Sequence, residues 1–223
     1  MKWLCVFVAI FLTVNAQDNF CANDVTANCN GLKDGIGNCN ANFSGFSTGI
    51  EHVQAYANEQ LLKSYDYLLL AANFGTYVKN RPGFEKQFRA LSDSAWERSI
   101  DLIKHITKRG GQHNFARRRS VTVSTQGKRV SELNEIDALA FALDTEKSLA
   151  LEAHSLHERY SHANHKSRYD AEMSHYLEEK FIEDQATTVR KFSGYANDLH
   201  RMLDDAIDSS LSLFMFDEYL QKQ

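Results

Sequence analysis

Glu146 is the residue most open to chemistry in this chain, because it falls on an apolar stripe shared with Leu139, Leu143, Ala150 and Ala153. A buried carboxylate is costly unless it is paired or bound to a metal. Lys180 and Tyr67 are the partners expected from other segments. An ion pair is the preferred reading and a metal ligand the alternative. Glu172 and His175 form a Glu-x-x-His pair, a spacing that lets both side chains face one ion from a helix. No second copy exists, so a surface pair is expected. His154, Glu158 and His162 recur every four residues, with His157 and His165 close by. Such a face could collect divalent iron or zinc; a solvated helix end is the plainer expectation. Gly45-Phe46-Ser47-Thr48-Gly49 matches G-x-S-x-G, but a nucleophile elbow needs a preceding strand, and none is legible. Arg117-Arg118-Arg119 could bind polyanions or be cut by a protease; a solvated loop is expected.

The cysteines depend on the first segment. Leu4 to Val14 is an apolar run too short for a membrane span, preceded by Lys2 and followed by Asn15-Ala16. Residues 1–16 therefore read as a secretory leader, which would carry Cys5 away. Cys21, Cys29 and Cys39 would remain, and an oxidising compartment favours disulfides. Three is odd, which suggests one internal bridge and one bond to another chain. The alternatives are an unpaired thiol or a thiolate zinc site, the latter weakened by the lack of any C-x-x-C. Which two cysteines pair is not legible. Asn42-Phe43-Ser44 is the only N-x-[ST] sequon and so a candidate for a glycan.

The elements that must hold these groups are helices. The 223 residues include one Pro and 11 Gly, which disfavours a many-turned β fold. A net charge of −4 leaves no basic footprint for nucleic acid, and no later stretch reaches membrane-span length. Residues 17–45, rich in Asn, Gly and Cys, read as a looped arm, and residues 46–223 as a helical bundle. Val53, Ala57, Leu61, Ser64, Leu68 and Ala71 mark a first helix, stopping near Asn73-Phe74-Gly75. Pro82 starts a second, striped by Phe84, Phe88, Leu91, Ala95, Leu102 and Ile106. Lys108-Arg109-Gly110-Gly111 ends it with cations at the negative dipole end and a left-handed cap. Residues 111–130 lack helical pattern; Val121, Val123 and Thr125 suggest a short extended piece. Ser131 opens a third helix, whose stripe reaches His157. A fourth runs from about Tyr169 to Leu203, with a possible kink at Gly194, and Ser209 to Leu220 form an apolar fifth.

Short links make the first and second helices antiparallel, and likewise the third and fourth. The long link lets the third run parallel to the second. Twenty extended residues reach about 66 Å, and a helix of this length spans about 40 Å. The expected fold is all-α: a four-helix bundle with one long crossover plus a short fifth helix. That connectivity is ferritin-like.

The chain resembles the ferritins, and within them the secreted, insect-type light-chain subunits. The likeness covers roughly residues 47–221. It is carried by Asn58-Glu59-Gln60-Leu61-Leu62-Lys63-Ser64-Tyr65-Asp66-Tyr67-Leu68, Lys108-Arg109-Gly110-Gly111 and Thr145-Glu146-Lys147. His175-Tyr176-Leu177-Glu178-Glu179 and Phe216-Asp217-Glu218 complete it. The resemblance implies a cage of about 24 subunits storing ferric iron, with the fifth helices buried around fourfold axes.

Catalytic ferritin chains oxidise Fe(II) inside each bundle, and departures from their pattern are informative. Gln60, Ala95, Arg98 and Lys180 stand where the family has metal ligands; only Tyr67 and Glu146 match. Two fixed cations would repel Fe(II). The resemblance therefore implies a non-catalytic subunit that stores iron as mineral and depends on a heavy-chain-type partner for oxidation, with the odd cysteine linking the two. Asp170 and His157 match channel positions, although a channel Glu is replaced by Met173. Asp93 and Glu97 remain of a mineral-nucleating cluster interrupted by Lys86 and Arg89. The rival readings are a ferroxidase-active subunit and a secreted four-helix signalling protein, the latter class usually carrying two long crossovers.

Overall fold

The computed structural model describes residues 21–28, 36–118, 123, 125, 127–162, 168–204 and 207–223. Residues 1–16, read above as a leader, and Cys29, Arg119, Val121 and His165 lie outside that set. Two units divide between Ala41 and Asn42. The first contains a helix that the sequence reading missed, α1 (Cys21–Asn28). Cys21 and Cys39 are disulfide-bonded, with Cα atoms 4.5 Å apart. Asp24 accepts hydrogen bonds from the Asn38 backbone at 2.6 Å and its side-chain amide at 2.9 Å.

The second unit is built from α2 (Phe46–Phe74), α3 (Pro82–Lys108), α4 (Glu135–Ser161), α5 (Ala171–Leu177), α6 (Glu183–Asp204) and α7 (Ser209–Gln221). A π turn, Glu178–Ile182, joins α5 to α6 without a break. Among the described residues there is no strand, and Val123 packs against the core without one. Pro82 sits in the first turn of α3, and Gly110 adopts φ 78° beyond its end. The predicted α3 stripe is buried throughout. The start of α4 differs from expectation. Val130–Glu132 form a 3₁₀ turn, and Asn134, not Ser131, caps the helix by accepting from the Asp137 amide at 2.9 Å.

Cross-helix contacts give the topology. Ser92 donates to the Ser64 carbonyl and Ser99 to that of Ala57, so α2 and α3 are antiparallel. Tyr67 meets Glu146 and Tyr160 meets Phe46, so α4 also opposes α2 and hence parallels α3. Residues 109–134 are the crossover. Asn58 pins it: its side-chain amide donates to the carbonyls of Asn114 and Arg117, and its oxygen meets His113 Nε2 at 2.9 Å.

Two apolar clusters fill the bundle. One surrounds Phe74, Phe84, Phe88, Phe192 and Phe216. The other surrounds Tyr56, Leu102, Leu149, Tyr160 and Phe181. The C-terminal helix closes on the first. Asp217 Oδ1 accepts from the Phe84 amide at 3.0 Å, satisfying an otherwise orphaned donor at the start of α3. Gly83 permits this approach, since a Cβ there would stand 2.1 Å from the Asp217 carbonyl oxygen.

Candidate functional site in the bundle interior

Between the two apolar clusters lies a buried polar layer. α2 contributes Tyr56, Gln60 and Tyr67; α3 contributes Arg98; α4 contributes Glu146; α6 contributes Gln185. Gln60, Glu146 and Gln185 are fully enclosed. Tyr67 Oη donates to Glu146 Oε1 at 2.9 Å. Arg98 Nη1 stands 3.6 Å from Glu146 Oε2, an ion contact longer than a hydrogen bond. Gln60 and Gln185 both donate through Nε2 to Tyr56 Oη at 2.9 Å. Burial, reinforced by the Glu146 charge, holds the Tyr67 phenol well above its ordinary pKa. Burial does the same for Tyr56, with Arg98 opposing. Both phenols are therefore protonated at neutral pH.

A borderline cation such as Fe(II) is held by carboxylates and imidazoles. This layer offers one carboxylate, already shared by Tyr67 and Arg98, alongside neutral amides and phenols. Its fixed cation is the Arg98 guanidinium, which stays charged and has no acceptor capacity. Among the described residues, no three His, Cys, Asp or Glu side chains gather into a set that could hold a metal ion.

Gln60, Tyr67, Arg98 and Glu146 thus converge, and Ala95 lies buried in the adjacent apolar cluster. Lys180 does not join them. It is exposed and pairs with Glu179 at 2.9 Å, so the expected Lys180–Glu146 contact is corrected to Arg98–Glu146. The reason is the π turn, whose i→i+5 bonding takes more residues per turn than an α-helix. The inward positions across it are Leu177, Phe181 and Gln185, four residues apart, and Lys180 falls outside them. Sequence reasoning missed Gln185, although it continues the four-residue spacing of Leu177 and Phe181.

The channel candidates also separate. Asp170 is buried and committed: Oδ1 caps α5 through the Met173 amide, and Oδ2 accepts from Arg109 Nη2 at 2.7 Å. It is a latch rather than a free ligand, which corrects its assignment as a metal candidate. Arg109, read from sequence as a cation at the negative end of the helix dipole, is itself buried. It also reaches Glu172 and the Phe43 carbonyl, and its guanidinium stacks over Phe43 and Phe46. His157 is half-buried, 4.0 Å from Glu178. Asp93 and Glu97 are exposed one turn apart on α3, with Asp93 held by Arg89 at 3.1 Å. Lys86 turns to the Gln221 carbonyl.

Glu172 and His175 are not brought together. Glu172 faces Arg109 and His105, whereas His175 is exposed beside Glu179. His154, Glu158 and His162 lie exposed on one face of α4 and its end. The G-x-S-x-G glycines serve packing: a Cβ on Gly49 would stand 2.3 Å from the Tyr160 hydroxyl, and one on Gly45 would strike the Arg168 backbone. Arg117 pairs with Glu51 at 2.5 Å, and Arg118 is exposed.

Comparison with known proteins agrees with this architecture. The family described as ferritin-like domain matches residues 50–202. A ferritin light chain of Drosophila melanogaster is 47% identical over 95% of this chain and 93% of its own. A ferritin light chain of Trichoplusia ni is 41% identical, covering 100% and 99% respectively. The crystal structure of Trichoplusia ni secreted ferritin superposes with a TM-score of 0.81 at 41% identity, covering 92% of this chain and 99% of that one. With the bundle, its single long crossover and these relatives in agreement, the chain belongs to the ferritin family.

Proposed function

We propose that this chain is a non-catalytic, light-chain-type subunit of a secreted, iron-storing cage of about 24 subunits. The observation that carries the reading is Arg98, a permanent cation inside the bundle beside Glu146, the carboxylate of the buried polar layer. Fe(II) would have to displace it against like-charge repulsion. Gln60, a poor ligand for Fe(II), supports the same conclusion.

Assembly is supported by what the subunit leaves uncovered. Leu211, Phe214, Met215 and Tyr219 form an exposed apolar face on α7. Leu62, Tyr65, Leu68 and Trp96 edge a groove of about 490 Å³ along α2 and α3. Apolar surface of this extent favours burial against other subunits. The partner is a heavy-chain-type subunit that oxidises Fe(II). The Cys21–Cys39 bridge leaves Cys29 as the cysteine for a link to it. His157, Asp93 and Glu97 are the residues left to meet iron outside the bundle. Secretion is supported by the leader-like pattern of residues 1–16.

Stopped-flow oxidation of Fe(II) tests the reading. The chain alone should not accelerate oxidation over buffer, and co-assembly with a heavy-chain-type subunit should. Rapid turnover by the chain alone would instead favour the ferroxidase-active alternative. Native mass should be that of a large iron-bearing particle, with a crosslink to the partner released by reductant. A small iron-free species would break the cage reading.

A further inference from the structure

Asn42 is exposed at the start of the second unit, and the two residues that complete its sequon are fixed to the bundle. The Phe43 ring lies 3.9 Å over the Arg109 guanidinium, and its carbonyl accepts from Arg109 Nη2 at 3.0 Å. Ser44 is held at φ 58°, a left-handed conformation uncommon outside glycine. Its hydroxyl donates to the Tyr169 carbonyl at 2.7 Å, and the Gly45 amide donates to the same oxygen at 3.2 Å. Asn42 is thus at the surface, whereas the hydroxyl by which a sequon is recognised is bonded within the fold.

We propose that Asn42 carries an N-linked oligosaccharide, attached to the growing chain before the Tyr169 segment arrives to capture Ser44. In the transfer, the Asn42 amide nitrogen attacks the anomeric carbon of a lipid pyrophosphate-linked oligosaccharide. The carbon–oxygen bond to the pyrophosphate breaks, the lipid pyrophosphate leaves with the electron pair, and the amide proton passes to a carboxylate of the transferase. Tyr169 follows Ser44 by 125 residues. At typical synthesis rates that separation leaves about 6–25 s for transfer. Once the bundle has closed, Ser44 is no longer presented. The inference rests on the secretory reading of residues 1–16.

Expression of the full chain with its own leader in eukaryotic secretory cells tests both statements. The secreted protein should begin at Gln17 and lose mass on treatment with peptide-N-glycosidase, leaving Asp at position 42. Asn42→Gln should be secreted at the gel mobility of the treated chain and be unchanged by the glycosidase. A secreted chain with unmodified Asn42 would overturn the glycan while leaving the leader intact. A cytosolic chain still beginning at Met1 would overturn both. The timing has its own readout. Folded, unglycosylated chain offered to solubilised oligosaccharyltransferase and its lipid-linked donor should not be modified, and the same chain unfolded and reduced should be. Equal modification of the two would overturn the order of events.

Discussion

Arg98 and Glu146 face each other across the bundle interior at 3.6 Å, and the other Glu146 oxygen accepts from Tyr67 at 2.9 Å. Removing one member of a buried ion pair leaves an uncompensated charge, at a cost of about 3–5 kcal/mol. Arg98→Met should therefore destabilise strongly, read as a lower urea midpoint with unchanged slope. Replacing both residues, as Arg98→Met with Glu146→Met, should recover most of that loss. A double variant as unstable as the single one would show that Arg98 acts through packing alone.

The latch between Arg109 and Asp170 ties the end of α3 to the start of α5 with Nη2 to Oδ2 at 2.7 Å. Its fork geometry and stacking over two Phe rings are specific to a guanidinium. Arg109→Lys keeps the charge but loses the second contact and the stacking, so it should cost about 2–3 kcal/mol. Thermal melts of the two proteins give the comparison. A variant within about 0.5 kcal/mol of the parent would mean the charge alone suffices.

Stability should fall as the medium becomes mildly acidic. Burial lowers the pKa of His105 below its ordinary 6.5, despite the opposing pull of Glu172. Burial likewise lowers that of His113. A lowered histidine pKa means that the unfolded chain binds the proton more readily. The stabilising effect is present above pH 6.5 and lost as pH falls through 6.5 towards the lowered folded values. Urea midpoints at pH 7.5 and pH 6 should differ in that sense, and His105→Phe should reduce the difference. A midpoint that rises on acidification would contradict this assignment.

Gly83 admits the Asp217 backbone, which lets α7 cap α3. Gly83→Ala would force α7 to shift, costing about 1–3 kcal/mol. Hydrogen exchange should show this as faster exchange across residues 209–221, with α4 unaffected. Uniform protection in both proteins would mean that α7 docks without this contact.

The exposed face of α7 offers a separate handle on assembly. Phe214 is 55% exposed in the subunit, so Phe214→Arg should scarcely change its fold. If that face is buried between subunits, the substitution introduces an unpaired charge there and should lower the native mass to smaller species. An intact large particle would remove α7 from the contacts proposed for the cage.

The second helix shows how much can be read from a chain in isolation. Pro82 and Gly110 mark its ends through backbone constraints that act locally, and its apolar stripe is buried as expected. The first helix was legible in its end but not in its start, which lies at Phe46, or in its face. Leu61 and Leu68 were assigned to its stripe, yet Leu68 is 36% exposed, while Tyr56, Gln60 and Tyr67 point inward. Apolar groups on the outer side of an amphipathic helix blur its periodicity, and a polar layer inside the bundle blurs it again. Asp170 was read as a channel candidate and Arg109 as a helix-end cation, and neither reading foresaw burial, because each charge is costly to bury alone. Only their pairing, from segments 61 residues apart, makes the burial possible.

Composition, local punctuation and helical spacing determined the all-helical class, the long crossover and most helix ends, because those properties depend on near neighbours. They also placed Glu146 in the interior. Tertiary structure decided which cation would meet it. Spacing assumes 3.6 residues per turn, and the π turn at Glu178–Ile182 breaks that count. Lys180 is left in solvent and Gln185 takes the interior position, so the lone cation of the layer comes from Arg98, on a different helix.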